Sequence, residues 1–248
     1  IAHEAAHTTI AFLPADQYVG DEPAYRTALR KAFEEAAKSD CVVTLGQKPD
    51  YPHTGYGYIE SGQLLGKTKA VAVRRVKQFR EKPDLATAKR MVQSGDFFWN
   101  LGIFVWSVAT IKRGFQNSPT HAAALREAVR RPAAFLAGGF KKLPKISIDY
   151  AVMEKMRNIL VVTGRFGWDD IGSWNAMFQH LKADSSGNIL RGPVVAIDSS
   201  NCLALAGKTV IALLGTQGIV VVQTPDAILV CDRTSGQDIK KVVALLPK

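Results

Sequence analysis

The chain has 248 residues, enough for one large domain or one domain plus a small one, and 47% of them are hydrophobic, an ordinary globular share. Lys and Arg number 32 against 22 Asp and Glu, a formal charge of +10 that favours anionic partners; yet the cations are scattered in short pairs such as Arg74-Arg75 and Lys141-Lys142, with no long basic run, so nucleic acid is not an expected partner. Cys41, Cys202 and Cys231 lie far apart without a CxxC, which argues against a disulfide frame or zinc site and for reduced thiols in the cytoplasm; no apolar stretch approaches the ~18 residues of a membrane span, so no membrane partner is expected.

In chain order, His3-Glu4-Ala5-Ala6-His7 matches the H-E-x-x-H pattern of zinc sites, which needs both imidazoles on one face of a stable helix. Only two residues precede it, and Thr8 to Leu13 then reads as a strand, so no zinc is expected here. Asp16 follows that strand. An acid just past the C-terminal end of a buried strand is where open α/β sheets place ligand chemistry, and it is equally a turn or cap residue; both readings stand. Glu22 to Lys38 has helical periodicity with Pro23 in the first turn, and Asp40 to Gly46 is a second strand. Strand, helix, strand predicts a βαβ unit with a parallel sheet as the default.

Thr54-Gly55-Tyr56-Gly57-Tyr58-Ile59-Glu60 pairs two glycines that let backbone approach a ligand, though a hairpin bend explains them as well. Ala70 to Phe79 is strand-like and leads into Arg80-Glu81-Lys82-Pro83. Asp84 to Gly95 is a short helix with Asp84 as N-cap and Gly95 as C-cap. Phe97 to Trp106 is a very apolar strand interrupted by Asn100, whose amide needs hydrogen bonds from a ligand or the backbone. Gly114 to Arg131 is helical and broken at Pro119, and Ser147 is placed to cap a helix over Ile148 to Met156.

Gly167-Trp168-Asp169-Asp170-Ile171-Gly172-Ser173-Trp174 sets two acids between aromatics. Paired carboxylates beside glycine suit Mg²⁺, which keeps several waters and takes one or two protein acids; a tight turn with both acids solvated is the alternative. Ser173 caps a helix running to about Leu181. Beyond 183–188, short apolar runs recur at Val194 to Ile197, Cys202 to Ala206, Val210 to Leu214, Ile219 to Val222 and Ile228 to Val230, predicting a β-rich tail coiled like a β-helix, closed by a helix over Gln237 to Leu246. The tail's expected role is packing or self-association, with a homodimer as the candidate assembly.

The ordered set LPAD at 13–16, TGYGYIE at 54–60, FREKPD at 79–84, SGDFFWNLGIF at 94–104, SIDYAVMEK at 147–155 and WDDIGSW at 168–174 resembles the mannose-1-phosphate guanylyltransferase (GDP-mannose pyrophosphorylase) family of sugar nucleotidyltransferases. The resemblance implies an α/β fold: a Rossmann-like mixed sheet with flanking helices over 1–184 and a small β-helix-like domain over 185–248. It implies that mannose 1-phosphate and GTP give GDP-mannose and pyrophosphate. Carried over by position, Asp16 and Asp170 hold Mg²⁺, Gly57 and Glu60 contact the sugar, Glu81 binds sugar hydroxyls, Lys82 meets the sugar phosphate and Asn100 reads the mannose ring. Asp16, Lys82 and Asp170 are then the catalytic set.

Two departures accompany the resemblance. Gln17 stands where the family usually has histidine, and the family's glycine-rich phosphate loop and Pro-Lys pair do not precede Ile1. On that basis the chain is expected to be a truncated form without turnover of its own. A related nucleotidyltransferase with another base or sugar, and a non-catalytic sugar-nucleotide-binding or regulatory subunit, are the alternatives.

Overall fold

A computed structural model of the chain describes residues 8–116, 118–172 and 174–246. It divides into two compact units, Ile1–Asp170 and Ile171–Lys248.

The first unit opens with β1 (Thr9–Phe12), the two-residue β2 (Tyr18–Val19) and α1 (Glu22–Lys38). α1 begins where local chemistry dictates. Asp21 Oδ1 accepts from Ala24 N at 2.9 Å, and Pro23 sits in the first turn, where its missing N–H costs nothing. Ala28, Ala32 and Ala36 recur every four residues and form its fully buried stripe. Then come β3 (Val42–Gln47), β4 (Gly57–Lys67), β5 (Ala72–Glu81), α2 (Leu85–Ser94) and β6 (Phe97–Ser107). Asp84 caps α2 through Thr87 N at 2.8 Å, and Gly95 ends it in the left-handed region at φ 76°. α3 (Val108–Gln116), α4 (Pro119–Arg130), the single turn α5 (Pro132–Ala134) and α6 (Ile148–Ala151) lead to β7 (Ile159–Gly164) and β8 (Trp168–Asp169). The helix expected over Ile148 to Met156 is shorter than that. α6 ends at Ala151 with Val152 as its C-cap, a 3₁₀ turn over Met153–Lys155 follows, and Ser147 makes no side-chain cap bond.

The main sheet runs in the order β1-β6-β3-β7-β5-β4, with an additional β6–β4 pairing. It is mixed: β3–β7 is parallel and the other pairs are antiparallel. The βαβ expectation is therefore corrected in one respect. β1 and β3 run the same way, but they are not neighbours, because the eleven-residue β6 lies between them and pairs with both. The parallel neighbour of β3 is β7, an apolar run buried on both faces that was not among the expected elements. Alternation sorts the core into two layers. Val43, Leu45, Trp99, Val105 and Val162 face α1, whereas Val42, Phe104, Trp106 and Ile159 face the opposite side with Met153.

The second unit carries α7 (Trp174–His180), β9 (Ile189–Arg191), β10 (Val194–Ile197), β11 (Leu203–Leu205), β12 (Ile211–Leu214), β13 (Ile219–Gln223), β14 (Ile228–Asp232) and α8 (Ile239–Val243). β9, β11 and β13 stack in parallel register, Ile189 on Leu203 on Val220, and β10 stacks on β12. β14 closes the first ladder antiparallel to β13. These are the expected coils, with β9 as an extra rung. The closing helix is shorter than expected: a 3₁₀ turn over Arg233–Asp238 precedes α8. Residues 171–184 group with the coils because Trp174, Met177, Phe178 and Leu181 pack on Ile189, Leu203 and Val220. The expected cap at Ser173 lies outside the described residues.

Candidate functional site

Four strands bring one row of residues abreast. Glu81 on β5 pairs with Gly57 on β4, Gly57 with Asn100 on β6, and Asn100 with Gly46 on β3. Directly opposed residues share a face, so the side chains of Glu81 and Asn100 flank the bare backbone of Gly57. A Cβ at Gly57 would lie 2.5 Å from Glu81 Oε2 and 3.3 Å from Asn100 Cβ. A side chain at this position would displace the Glu81 carboxylate, the free end of a flexible side chain.

Asn100 is satisfied by protein groups. Its Nδ2 donates to Asp149 Oδ1 at 3.1 Å, and its Oδ1 accepts from Gly102 N at 3.2 Å and from the Thr44 hydroxyl at 3.4 Å. Lys82 follows the row with φ 45°, a conformation rare for a side-chain-bearing residue; its N–H donates to Tyr56 O at 3.2 Å. Its Nζ lies 3.7 Å from Glu81 Oε1, and its side chain is 66% exposed. Glu60 is not brought into the row. Three residues on from Gly57, it points to the other face of β4, where Lys77 Nζ donates to it at 3.2 Å and Gln78 donates as well. The Gln78 bond, aided by Lys77, holds the Glu60 carboxyl below its usual range. Beside Glu81, the groove of about 770 Å³ between β5 and the 150–159 segment carries Lys77, Arg80, Lys155 and Arg157.

The two acid-bearing segments are joined by a different device. β2 and β8 form a ladder of two pairs, Tyr18 with Asp169 and Val19 with Trp168. Asp16 precedes one strand of that ladder and Asp170 follows the other, so both leave it at the same end. Asp16 is exposed, Asp170 half-buried and Asp169 buried. The Tyr56 hydroxyl donates to Asp169 Oδ1 at 3.2 Å. Burial first, and then the nearby Asp170 and Asp169 carboxylates, push the Tyr56 hydroxyl far above its ordinary pKa, so it stays a donor. His53 stacks on the Tyr56 ring at 3.7 Å, and burial lowers its pKa against the opposing pull of the two acids. Asp149, Tyr56 and His53 were not singled out from sequence. Asp149 and Tyr56 lie inside motifs read from the sequence and His53 lies just outside one, but their contacts depend on register. Asp16, Gly46, Gly57, Glu81 and Asp170 all sit at or just beyond the end of the sheet where β1, β3 and β7 terminate, the position open α/β sheets use for ligands.

Among the described residues there is no cluster of three or more His, Cys, Asp or Glu placed to hold a metal, and the His3–His7 motif lies outside them. Carboxylate oxygens suit a hard cation such as Mg²⁺, which takes one or two protein acids and keeps several waters. No helix among the described residues is long and apolar enough to cross a membrane, and all three cysteines are free thiols.

Comparison with known proteins agrees with this architecture. The Nucleotidyl transferase family model matches residues 1–187, and the MannoseP isomerase/GMP-like beta-helix domain model matches residues 192–246. The Xanthan biosynthesis protein XanB of Xanthomonas campestris pv. campestris is 39% identical over 239 residues, 94% of this chain and 50% of that protein. The mannose-1-phosphate guanylyltransferase ManC of Salmonella typhimurium is 37% identical over 251 residues, 97% of this chain and 52% of that protein. A crystal structure described as mannose-1-phosphate geranyltransferase from Thermus thermophilus superposes with a TM-score of 0.82 at 39% identity, covering 95% of this chain and 69% of that one. The chain spans about half the length of the curated relatives it matches. With the family model matching three-quarters of its residues, the chain belongs to the nucleotidyl transferase family and carries a MannoseP isomerase/GMP-like β-helix behind that domain.

Proposed function

We propose that this chain carries the sugar-phosphate site of a mannose-1-phosphate guanylyltransferase, which joins mannose 1-phosphate to GTP and releases pyrophosphate. The observation that carries the proposal is the Glu81–Gly57–Asn100 row at the same sheet end as Asp16 and Asp170. The bare backbone at Gly57 lets a sugar ring approach, while Glu81 and Asn100 flank it with an acceptor and an amide for hydroxyl recognition. Asn100 is oriented by Asp149 and Thr44, so it is set before any sugar arrives.

Lys82 meets the sugar phosphate as a point charge, its backbone fixed by Tyr56 O. Asp16 and Asp170 would hold Mg²⁺, which offsets charge on the phosphates during transfer. In the reaction, a phosphate oxygen of mannose 1-phosphate attacks the α-phosphorus of GTP, a P–O bond forms, and the bond to the β-phosphate breaks with pyrophosphate leaving. In-line transfer of this kind needs positioning and charge neutralisation more than covalent help, which suits a site whose groups are one lysine, one amide and carboxylates. Glu60 stands outside this assignment because Lys77 and Gln78 occupy its carboxylate. The free thiols fit a cytoplasmic setting, and the β-coils are the candidate surface for a homodimer.

Calorimetry with mannose 1-phosphate and GDP-mannose tests the binding half of the proposal. Binding of both, with weaker binding of glucose 1-phosphate, is expected. No binding of either ligand, or equal binding of the glucose compound, would remove mannose as the sugar. Turnover is followed in the full gene product as GDP-mannose formation, with UTP as the competing nucleotide.

A further inference from the structure

The ladder that aligns the two acids is too small to do so alone. β2 and β8 form a sheet of two strands and two residue pairs, and isolated two-stranded ribbons are marginal in water. Something else must fix the segment that carries Asp169 and Asp170. The structure assigns this task to two glutamines that grip one tryptophan: we propose that Gln17 and Gln47 are positioning residues whose carboxamides lock Trp168, and through it set Asp170 against Asp16.

Four hydrogen bonds form the clamp. The Trp168 indole N–H donates to Gln17 Oε1 at 2.8 Å, and Gln17 Nε2 donates to Leu101 O at 2.8 Å. The Trp168 backbone N–H donates to Gln47 Oε1 at 2.9 Å, and Gln47 Nε2 donates to Trp168 O at 3.3 Å. Each carboxamide therefore uses one donor and one acceptor, and together they bond four polar groups on and beside Trp168, a residue only 5% exposed.

Position gives the clamp its consequence. Gln17 directly follows Asp16, Trp168 lies two residues before Asp170, Gln47 is the last residue of β3, and Leu101 directly follows Asn100. The clamp thus ties both acid-bearing segments to the strands that carry the sugar row, across 84 and 121 positions of sequence. Both carboxamides bond protein groups. They act through Trp168.

The inference rests on the two-acid cation site proposed above, and its test separates the two. Mn²⁺ is titrated into the chain and free ion is read by electron paramagnetic resonance, for the wild type and for Gln17→Leu, Gln17→His and Asp170→Asn. Mannose 1-phosphate calorimetry on each variant serves as the check that the fold is intact. Gln17→Leu keeps bulk but loses both polar ends, and its Mn²⁺ affinity is expected to fall at least fivefold while mannose 1-phosphate affinity stays within twofold. At pH 8 a neutral imidazole again offers one donor and one acceptor, so Gln17→His is expected to recover most of the loss. A Gln17→Leu variant within twofold of the wild type overturns the clamp, provided Asp170→Asn loses Mn²⁺. Equal losses in Gln17→Leu and Gln17→His would indicate a packing defect and overturn it too. If the wild type binds no Mn²⁺, or Asp170→Asn binds it unchanged, the cation site has failed and the clamp falls with it.

Discussion

The end of the nucleotidyl transferase sheet and the C-terminal coils both bury polar side chains, but they use them over different distances. In the coils the bonds are local. Asn188 Oδ1 accepts from Cys202 N at 3.0 Å, Asn188 Nδ2 donates to Ser199 O at 2.9 Å, and Asp184 accepts from the N–H groups of Ser186 and Asn188. Each of these spans 14 positions or fewer; the Asp184 bonds close the turn that leads into β9, and the Asn188 bonds reach the segment between β10 and β11. At the sheet end the bonds reach far. Asn100 to Asp149 spans 49 positions, Tyr56 to Asp169 spans 113 and Trp168 to Gln17 spans 151. Local bonds to backbone define a repeating architecture. Long-range bonds between side chains, at the ends of strands, hold functional groups in a geometry that no single segment could set.

Four substitutions would break or sharpen that contrast. The largest effect is expected for Asp170→Asn in the full gene product. Turnover should fall at least about 100-fold, the scale of losing one electrostatic stabiliser of a phosphoryl transition state, with an unchanged circular dichroism spectrum. A normal Mg²⁺-dependent rate would show that the acid pair is only a turn.

Asn188→Ala should do the reverse. It strands the Cys202 N–H and the Ser199 carbonyl in a site only 3% exposed, so urea unfolding should show a loss of about 2–3 kcal/mol. Mannose 1-phosphate affinity should not move; if it does, the two regions are not separable in the way their bonding suggests.

Lys82→Ala is expected to cost about 1.5–3 kcal/mol of mannose 1-phosphate affinity, the usual scale for a charged hydrogen bond, and little stability because the side chain is largely exposed. Unchanged calorimetric binding would remove Lys82 from the site. The smallest effect is assigned to Glu60→Ala. Its partners are surface groups on the other face of β4, so affinity and stability should each change by less than about 1 kcal/mol. A tenfold loss of affinity would return Glu60 to the sugar row.

What the sequence disclosed follows the same division between local and distant. α1 and α2 were legible to the residue because caps, Pro23 and Gly95 are chemistry within one turn. The coil rungs were legible because each is a short apolar run between turns. β6 was legible as a strand, but not as the wedge between β1 and β3, since pairing order is a property of the whole sheet. Gly57, Glu81 and Asn100 entered through motifs, and what aligned them was register across three strands. Asp149 and Tyr56 were inside visible motifs, yet their partners lie 49 and 113 positions away. Glu60 illustrates a local signal left unused: an odd step from Gly57 along a strand puts the two on opposite faces.

The central claim is that the row across β5, β4 and β6 is where the sugar phosphate sits, and Gly57→Ala tests it most directly. The new methyl would meet the Glu81 carboxylate at 2.5 Å, and because that carboxylate is the free end of a flexible side chain, it can swing aside without unfolding the sheet. Calorimetry with mannose 1-phosphate on the wild type and the variant should show at least a tenfold loss of affinity with a melting temperature close to that of the wild type. A variant that binds mannose 1-phosphate as tightly as the wild type would contradict the account.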